Sequence, residues 1–257
     1  MEKTNVFETS KVGKYQFFAM PFHCDFSNHL RIDHLGNDML NAADLHSDAR
    51  GFGMNYLNTV DKTWVLSRFA IEVVDMPVSY KVLNVETWVE SAMRFFTSRN
   101  FAVTGTDGEV YAYGRSIWAM IDTNTRQPVD LLKVRDGLLN DYVETDKPCP
   151  VDSCSRVKVN DSANLWSTVK ATYCDIDMNG HVNSVKYIEH VLDLWDIDWY
   201  KFHRIKRVEV AYVAEAHCGD ELHFYVEERS ENDFYIRVMA KNEVCRCYVK
   251  FEEIITK

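Results

Sequence analysis

The segment Asp175-Ile-Asp-Met-Asn-Gly-His-Val-Asn-Ser-Val-Lys-Tyr-Ile188 largely decides the fold, because it sets a polar turn directly before an amphipathic helix. Asp177, Asn179 and His181 stand at alternate positions in the turn. Gly180 permits backbone conformations that other residues rarely adopt. The spacing predicts three polar side chains held together where a helix begins.

The helix after this turn is predicted from its apolar residues, which recur every three or four positions. Asn183 is a favoured residue type at a helix N-cap. The first N–H groups of a helix lack partners and carry partial positive charge. The backbone near Val182 and Asn183 is therefore predicted to stabilise a developing oxyanion. The predicted core-facing stripe of this helix comprises Val182, Val185, Ile188, Leu192 and Trp195.

The same order of elements occurs in both halves of the chain: a strand, a helix, and about four segments rich in β-branched and aromatic residues. The first half also carries an echo of the polar turn, Cys24-Asp25-Phe-Ser-Asn-His29. In this echo Ser27 is taken as the position nearest to Asp177, and the alternate spacing is lost. The difference predicts that only the second half kept a functional triplet.

An α+β fold is predicted, in which antiparallel strands wrap round a helix. One such unit leaves a sheet edge uncovered, and a second unit, in tandem or as a dimer, can continue the sheet. We predict a first repeat over residues 1–145, a polar linker over 146–163 and a second repeat over 164–257. A single α+β domain without duplication is the alternative.

Composition narrows the class of protein. The 257 residues are 46% apolar and 13% aromatic, enough for a substantial core. The net charge of −10 is spread over both halves and argues against a nucleic-acid partner. Seven cysteines without metal-ligand spacing indicate reduced thiols and no metal site, as in the cytoplasm. No run approaches the ~20 apolar residues of a membrane span.

From about residue 35 to 225 the chain resembles the acyl–acyl carrier protein (acyl-ACP) thioesterases of plastids and bacteria. Segment 175–188 looks like their signature Asp-x-Asn-x-His-Val-Asn-Asn-x-Lys-Tyr. Further likeness lies in Arg50-Gly-Phe-Gly53, Trp64-Val-Leu-Ser-Arg-Phe69, Glu86-Thr-Trp88, and Arg115-Ser-Ile-Trp118 with Thr125-Arg126.

The resemblance implies a tandem (double) hotdog, with two antiparallel sheets each wrapped around a long central helix. It also implies hydrolysis of the thioester between a fatty acyl chain and the phosphopantetheine arm of the carrier. That reaction releases free fatty acid, ends chain elongation in fatty acid biosynthesis, and needs no cofactor beyond the arm that the substrate brings.

The catalytic residues are implied to lie in the second repeat, while the first repeat shapes the acyl pocket. Glu215 matches the family's catalytic glutamate, and the cysteine that often follows it is Ala216 here. Water is therefore the predicted nucleophile. Glu215, together with Asp177, is predicted to remove its proton, which contributes ~10²–10⁴-fold in rate. Asn179 and His181 are predicted to orient the water or hold the carbonyl.

The predicted partner is the acidic acyl carrier protein, although this chain is itself acidic. A local basic patch is therefore needed for docking, where charge would mainly speed encounter. Two candidate patches are present, of which Lys133 and Arg135 form the weaker, second one. A homodimer of this chain is a separate, open possibility. The first candidate patch consists of Lys201, Arg204, Lys206 and Arg207.

Three other functions are compatible with these residues. An acyl-coenzyme A thioesterase would use the same site. A hotdog hydratase or dehydratase would use Asp and His beside an intact thioester, but Glu215 and Asn179 favour hydrolysis. A non-catalytic acyl-binding module would not need the polar triplet.

Overall fold

The computed structural model describes residues 10–254, which form one antiparallel sheet of ten strands with helices packed against it. The outer ends of the predicted repeats, residues 1–9 and 255–257, lie outside the described residues. The first-half strands are β1 (Val12–Phe18), β2 (Lys62–Val73), β3 (Val82–Ala92), β4 (Thr97–Thr104) and β5 (Val110–Asp122). The second-half strands are β6 (Asn164–Lys170), β7 (His203–Tyr212), β8 (Glu221–Ser230), β9 (Asp233–Met239) and β10 (Glu243–Glu253).

The helices are two principal ones and several short ones. The α-helices are α1 (Ile32–Asp48), α2 (Met54–Leu57), α3 (Ser184–Leu192) and α4 (Ile197–Tyr200). The 3₁₀ segments are Pro21–His23, Asn58–Val60, Leu131–Tyr142 and Tyr173–Asp175. Within residues 10–254, every helix is too short or too polar to cross a bilayer.

The strand order shows that the two halves repeat one plan. The sheet runs β1-β3-β4-β5-β2-β7-β10-β9-β8-β6, so the second five strands repeat the first five in reverse. At the centre β2 pairs with β7, from Arg68 opposite Ala211 to Glu72 opposite Arg207. The predicted separation into two sheets is therefore wrong. The edges of both halves satisfy each other's backbone hydrogen bonds and form one sheet.

The first half of the sheet curves round α1, whose buried apolar residues include Leu35, Met39 and Ala42. A Cβ on Gly36 of α1 would lie 3.3 Å from Ile71 Cδ1 of β2. A Cβ on Gly13 of β1 would lie only 2.5 Å from His46 Cδ2 of α1. Because β1 and β2 are the two outer strands of the first half, contact of both with one helix requires a curved sheet.

The second helix is shorter than predicted. α3 ends at Leu192, and Asp196 begins α4 as an N-cap, its Oδ1 accepting a hydrogen bond from Trp199 N at 2.9 Å. An aspartate favours such a cap over a helix interior. Trp195 thus lies between the helices and packs with its ring centroid 4.9 Å from that of Phe234. The prediction of a long central helix holds for the first half only.

The predicted linker, residues 146–163, packs on the join between the halves. Ser155 N and Oγ donate to Glu209 Oε2 at 3.0 and 2.9 Å. Glu209 lies on β7 and also pairs with Arg207, whose Nη1 is 2.6 Å from Glu72 Oε2 on β2. The linker therefore covers charged residues at the centre of the sheet. Its buried residues include Val151, Cys154 and Val157.

Candidate active site

The second-half turn is held by the carboxylate of Asp177. Its Oδ1 accepts hydrogen bonds from the backbone N of Asn179 at 2.8 Å and of His181 at 3.3 Å. Asp177 N donates to the carbonyl of His181 at 2.8 Å, and Gly180 has a left-handed φ of +82°. The alternate spacing seen in the sequence thus reflects a carboxylate that closes a turn.

A buried hydrogen bond between an imidazole and a carboxylate fastens this turn to α3. His190 Nε2 of α3 lies 2.9 Å from Asp175 Oδ1, and Thr172 N donates to Asp175 Oδ2 at 2.6 Å. Burial raises the pKa of Asp175, but these hydrogen bonds outweigh it and hold the pKa below its ordinary value. Asn183 caps α3 as predicted, its Oδ1 accepting from Val185 N at 2.9 Å. The Asp175–His190 pair was not predicted.

The structure brings His181 and Glu215 into contact. The N–H of Val182 donates to the carbonyl of Ala216 at 2.8 Å, which draws the segment after β7 against the turn. His181 Nε2 then lies 3.3 Å from Glu215 Oε2. Their side chains are 25% and 39% exposed, so water can reach both.

Arg126 of the first half completes this arrangement. Its Nη2 lies 2.5 Å from Glu215 Oε1, so the two carboxylate oxygens face different partners. Arg126 sits in the turn after β5 with φ +59°, and its N–H donates to the carbonyl of Asp122 at 2.9 Å. The Asp122 carboxylate in turn accepts from Thr125 N at 2.8 Å. The site is therefore built from both halves.

Sequence reasoning did not identify Arg126 or His217 as site residues. Arg126 appears in the resemblance to the family, but no periodicity connects it with Glu215, 89 residues away. The ring of His217 meets that of His181 edge to face, with centroids 5.0 Å apart. Proximity in sequence to Glu215 was the only available signal for His217.

The predicted oxyanion donors need correction. Val182 N is engaged with Ala216, and Asn183 N donates to the carbonyl of Asp175 at 2.8 Å. These bonds close the turn, so neither N–H is free for a substrate. The Asn179 side chain is exposed and, within residues 10–254, makes no hydrogen bond to His181 or Glu215.

The first-half turn is a closer copy than the sequence suggested. Asp25 Oδ1 accepts from the backbone N of Ser27 at 2.8 Å and of His29 at 3.1 Å, as Asp177 does in its own turn. Asn28 has φ +67°, like the glycine of the second turn. The counterpart of Asp177 is therefore Asp25, and the predicted match with Ser27 is wrong. The alternate polar spacing is present in both halves.

The two turns differ instead in the acid opposite them. In the second half, Val182 N donates to the residue that follows Glu215. In the first half, Leu30 N donates to the carbonyl of Pro77 at 2.9 Å. Met76, which precedes Pro77, therefore takes the place of Glu215. Only the second half presents a carboxylate at this position.

The first predicted docking patch does not lie beside this pair. It follows the C-terminal end of α3, whereas His181 precedes its N-terminal end, and nine helical residues span about 13 Å. Its charges are also paired: Lys201 with Asp198, and Arg204 and Lys206 with Glu252. Arg207 is unsuitable for docking, because it is largely buried between Glu72 and Glu209.

The fold and the site together define a duplicated α+β protein in which the imidazole of His181 and the carboxylate of Glu215 face each other at a water-accessible position, an arrangement suited to general-base chemistry. Two family descriptions match the chain: the acyl-ACP thioesterase N-terminal domain over residues 12–140 and the C-terminal domain over residues 159–253. The chain belongs to the acyl-ACP thioesterase family.

Solved structures and plant sequences are similar to this chain. An acyl-ACP thioesterase from Bacteroides thetaiotaomicron is 50% identical, with a TM-score of 0.88 over 94% of this chain and 98% of that one. The 12:0-ACP thioesterase from Umbellularia californica shares the fold, with a TM-score of 0.84 at 20% identity over 96% and 99% of the two chains. The Arabidopsis thaliana oleoyl-acyl carrier protein thioesterase 2 is 25% identical over 89% of this chain. This chain spans 66% of the length of that plant relative.

Proposed function

We propose that the protein hydrolyses the thioester of fatty acyl-ACP and releases free fatty acid, ending chain elongation. The observation that carries the proposal is the contact between His181 Nε2 and Glu215 Oε2 at 3.3 Å, in a chain of the acyl-ACP thioesterase family. The same geometry would serve an acyl-coenzyme A thioester, which is the second candidate substrate.

In the proposed reaction, Glu215 removes a proton from water as the water oxygen attacks the thioester carbonyl. Arg126 holds Oε1 of Glu215 and leaves Oε2 beside His181. The imidazole of His181 orients the water. The tetrahedral intermediate then expels the thiolate, which takes up the proton. The exposed Asn179 amide is the proposed partner of the oxyanion, and Asp177 is a positioning residue that holds the turn.

We further propose that the two repeats form a tandem hotdog, with the acyl pocket in the first repeat. The position of the acyl pocket is supported by a cavity of about 130 Å³ beside the C-terminal half of α1. Strand β5 carries Trp118 into the lining of this cavity and leads directly to the turn of Arg126. The apolar lining includes Leu40, Phe52, Trp64 and Trp118.

For carrier docking we favour Lys133 and Arg135 over the first predicted patch. Both are exposed and follow the turn that carries Arg126 to the site. The phosphopantetheine arm comes with the substrate, so no further cofactor is proposed. A cytoplasmic location is supported by seven free cysteines. The homodimer stays a prediction.

The test is turnover of matched acyl-ACP and acyl-coenzyme A substrates of one chain length, measured by thiol release and by free fatty acid. We expect both products to appear together, and faster from acyl-ACP. Substrate consumed without thiol would indicate a lyase instead. Binding without any product would contradict hydrolysis altogether.

Replacing Arg126 by Ala is expected to lower kcat by roughly 10–100-fold, because misplacing a catalytic group by about 1 Å can cost that much. KM and thermal stability should change little, since an exposed ion pair contributes only ~0–1 kcal/mol. Arg126→Lys should restore part of the rate, because lysine keeps the charge but not the planar fork.

Arg94→Ala is the matched control for Arg126. Like Arg126, Arg94 is an exposed arginine of the first half that pairs with a carboxylate, its Nε lying 3.2 Å from Asp130 Oδ2. Unlike Arg126, it lies outside the site. Steady-state kinetics should show wild-type rates for this control. An Arg126→Ala enzyme with an unchanged kcat would remove Arg126 from the mechanism.

A further inference from the structure

A cavity of about 680 Å³ opens at the first-half turn, away from His181 and Glu215. Asp25, Ser27 and His29 of that turn line it. Its volume lies within the range of small-molecule binding sites, about 300–1,000 Å³. The opposite wall comes from the second half, where the apolar residues Leu192, Trp195, Tyr200 and Ile205 lie among charged ones such as Glu189 and Asp193.

Internal symmetry assigns a role to this cavity. The two halves repeat the same strand order, and Asp25 closes the first turn as Asp177 closes the second. The cavity therefore occupies the place of a second substrate site. Ser27 Oγ donates to Asp25 Oδ1 at 2.7 Å and lies 2.9 Å from His29 Nδ1, which sets a hydroxyl and an imidazole side by side in the lining.

The acid needed for hydrolysis is missing from the corresponding position in this cavity. Met76 lines it where Glu215 stands in the catalytic half. The neighbouring Asp75 also lines the cavity, but its Oδ1 accepts a hydrogen bond from Met76 N at 2.9 Å. A ligand held here would therefore meet polar groups without a base placed like Glu215.

The charges of the lining favour a ligand with an uncharged polar head. Its four Lys and Arg side chains each have an acidic partner within residues 10–254. For example, Arg31 Nη2 lies 2.6 Å from Asp33 Oδ2. A carboxylate would have to displace these partners, whereas a thioester or amide would not.

We infer that this second cavity binds one fatty acyl thioester per chain without hydrolysing it. The choice of ligand rests on the proposed function, because it is taken from the symmetry-related catalytic turn. The acyl chain lies against the apolar wall near Trp195, and the thioester carbonyl lies near Ser27 and His29. The protein then carries two acyl sites, only one of which is catalytic.

The experiment counts binding sites by calorimetry. The probe is a dodecanoyl-pantetheine analogue in which a methylene separates carbonyl and sulfur, so that it cannot be hydrolysed. Wild type is expected to bind two per chain, and Met76→Trp, whose larger ring obstructs the second cavity beside its turn, to bind one fewer. Met76→Leu conserves volume and is expected to keep the wild-type number. Thermal melting checks that each variant folds.

A second measurement uses wild type alone, in case Met76→Trp does not fold. The same analogue with a diazirine at the end of its chain should label the peptide around Trp195 and Ile205 after illumination. Excess unlabelled analogue should abolish this labelling, and dodecanoate should compete less well because it carries a charge.

Loss of one site in Met76→Trp, or specific labelling near Trp195, supports the inference. Equal site numbers in Met76→Trp and wild type, with no such labelling, would overturn it. Stronger competition by dodecanoate than by the analogue would overturn the assignment of a thioester. Each readout is independent of hydrolysis, so the second site and the catalytic proposal can fail separately.

Discussion

Glu215→Gln is expected to slow thioester hydrolysis by about 10²–10⁴-fold, the contribution of a positioned general base. Glutamine has nearly the same shape and can still accept a hydrogen bond from Arg126, whose Nη2 is 2.5 Å from Oε1. It cannot remove a proton from water. The loss should therefore fall on kcat, measured with saturating acyl-ACP, and leave KM and thermal stability close to wild type.

Glu231→Gln is the matched control for this variant. Glu231 is exposed in the turn between β8 and β9, and its replacement removes the same charge. Any change in the rate of encounter with the acidic carrier that results from the lost charge should thus be shared by both variants. A Glu215→Gln enzyme that hydrolyses as fast as this control would show that another group activates the water.

His181→Ala is expected to cause a loss of similar size, because the imidazole lies 3.3 Å from Glu215 and is the proposed partner of the water. Residues that act as one unit give strongly non-additive losses. The double variant with Glu215→Gln should therefore be about as slow as the slower single variant. Single-turnover rates on acyl-ACP measure all three without interference from product release.

His223→Ala is the control for removing an imidazole. His223 lies on β8, where its Nδ1 is 3.0 Å from Thr168 Oγ1, and it takes no part in the turn. Its loss should leave the single-turnover rate unchanged. If the losses in single-turnover rate from His181→Ala and Glu215→Gln multiplied fully in the double variant, the two side chains would act separately. That result would contradict the proposed joint action of His181 and Glu215.

Much of the fold follows from local patterns. The strand segments and the start of α3 were predictable because side chains alternate along a strand and recur every three to four positions on a helix. The cap at Asn183 follows from the same local rules, since its side chain bonds a residue two positions on. Segments that owe their structure to near neighbours can be interpreted from sequence alone.

The site was predictable only in part. His181 was chosen from the alternate spacing of the turn and Glu215 through resemblance to the family, and the structure brings them together. The role of Asp25 was missed because Ser27 was aligned with Asp177, and turn hydrogen bonds rather than residue identity correct the match. The donors expected at Val182 and Asn183 are engaged by backbone contacts that no spacing reveals.

By itself, the sequence determined the duplicated plan, the polar turn before α3 and the family, because these reside in local order and residue type. Only the tertiary structure decided that β2 and β7 join the halves into one sheet and that Arg126 reaches Glu215. It also decided that Met76 stands in the first half where Glu215 stands in the second. The reason is physical: pairing between strand edges and contacts between distant turns depend on how the chain closes on itself, and no period in the sequence encodes that.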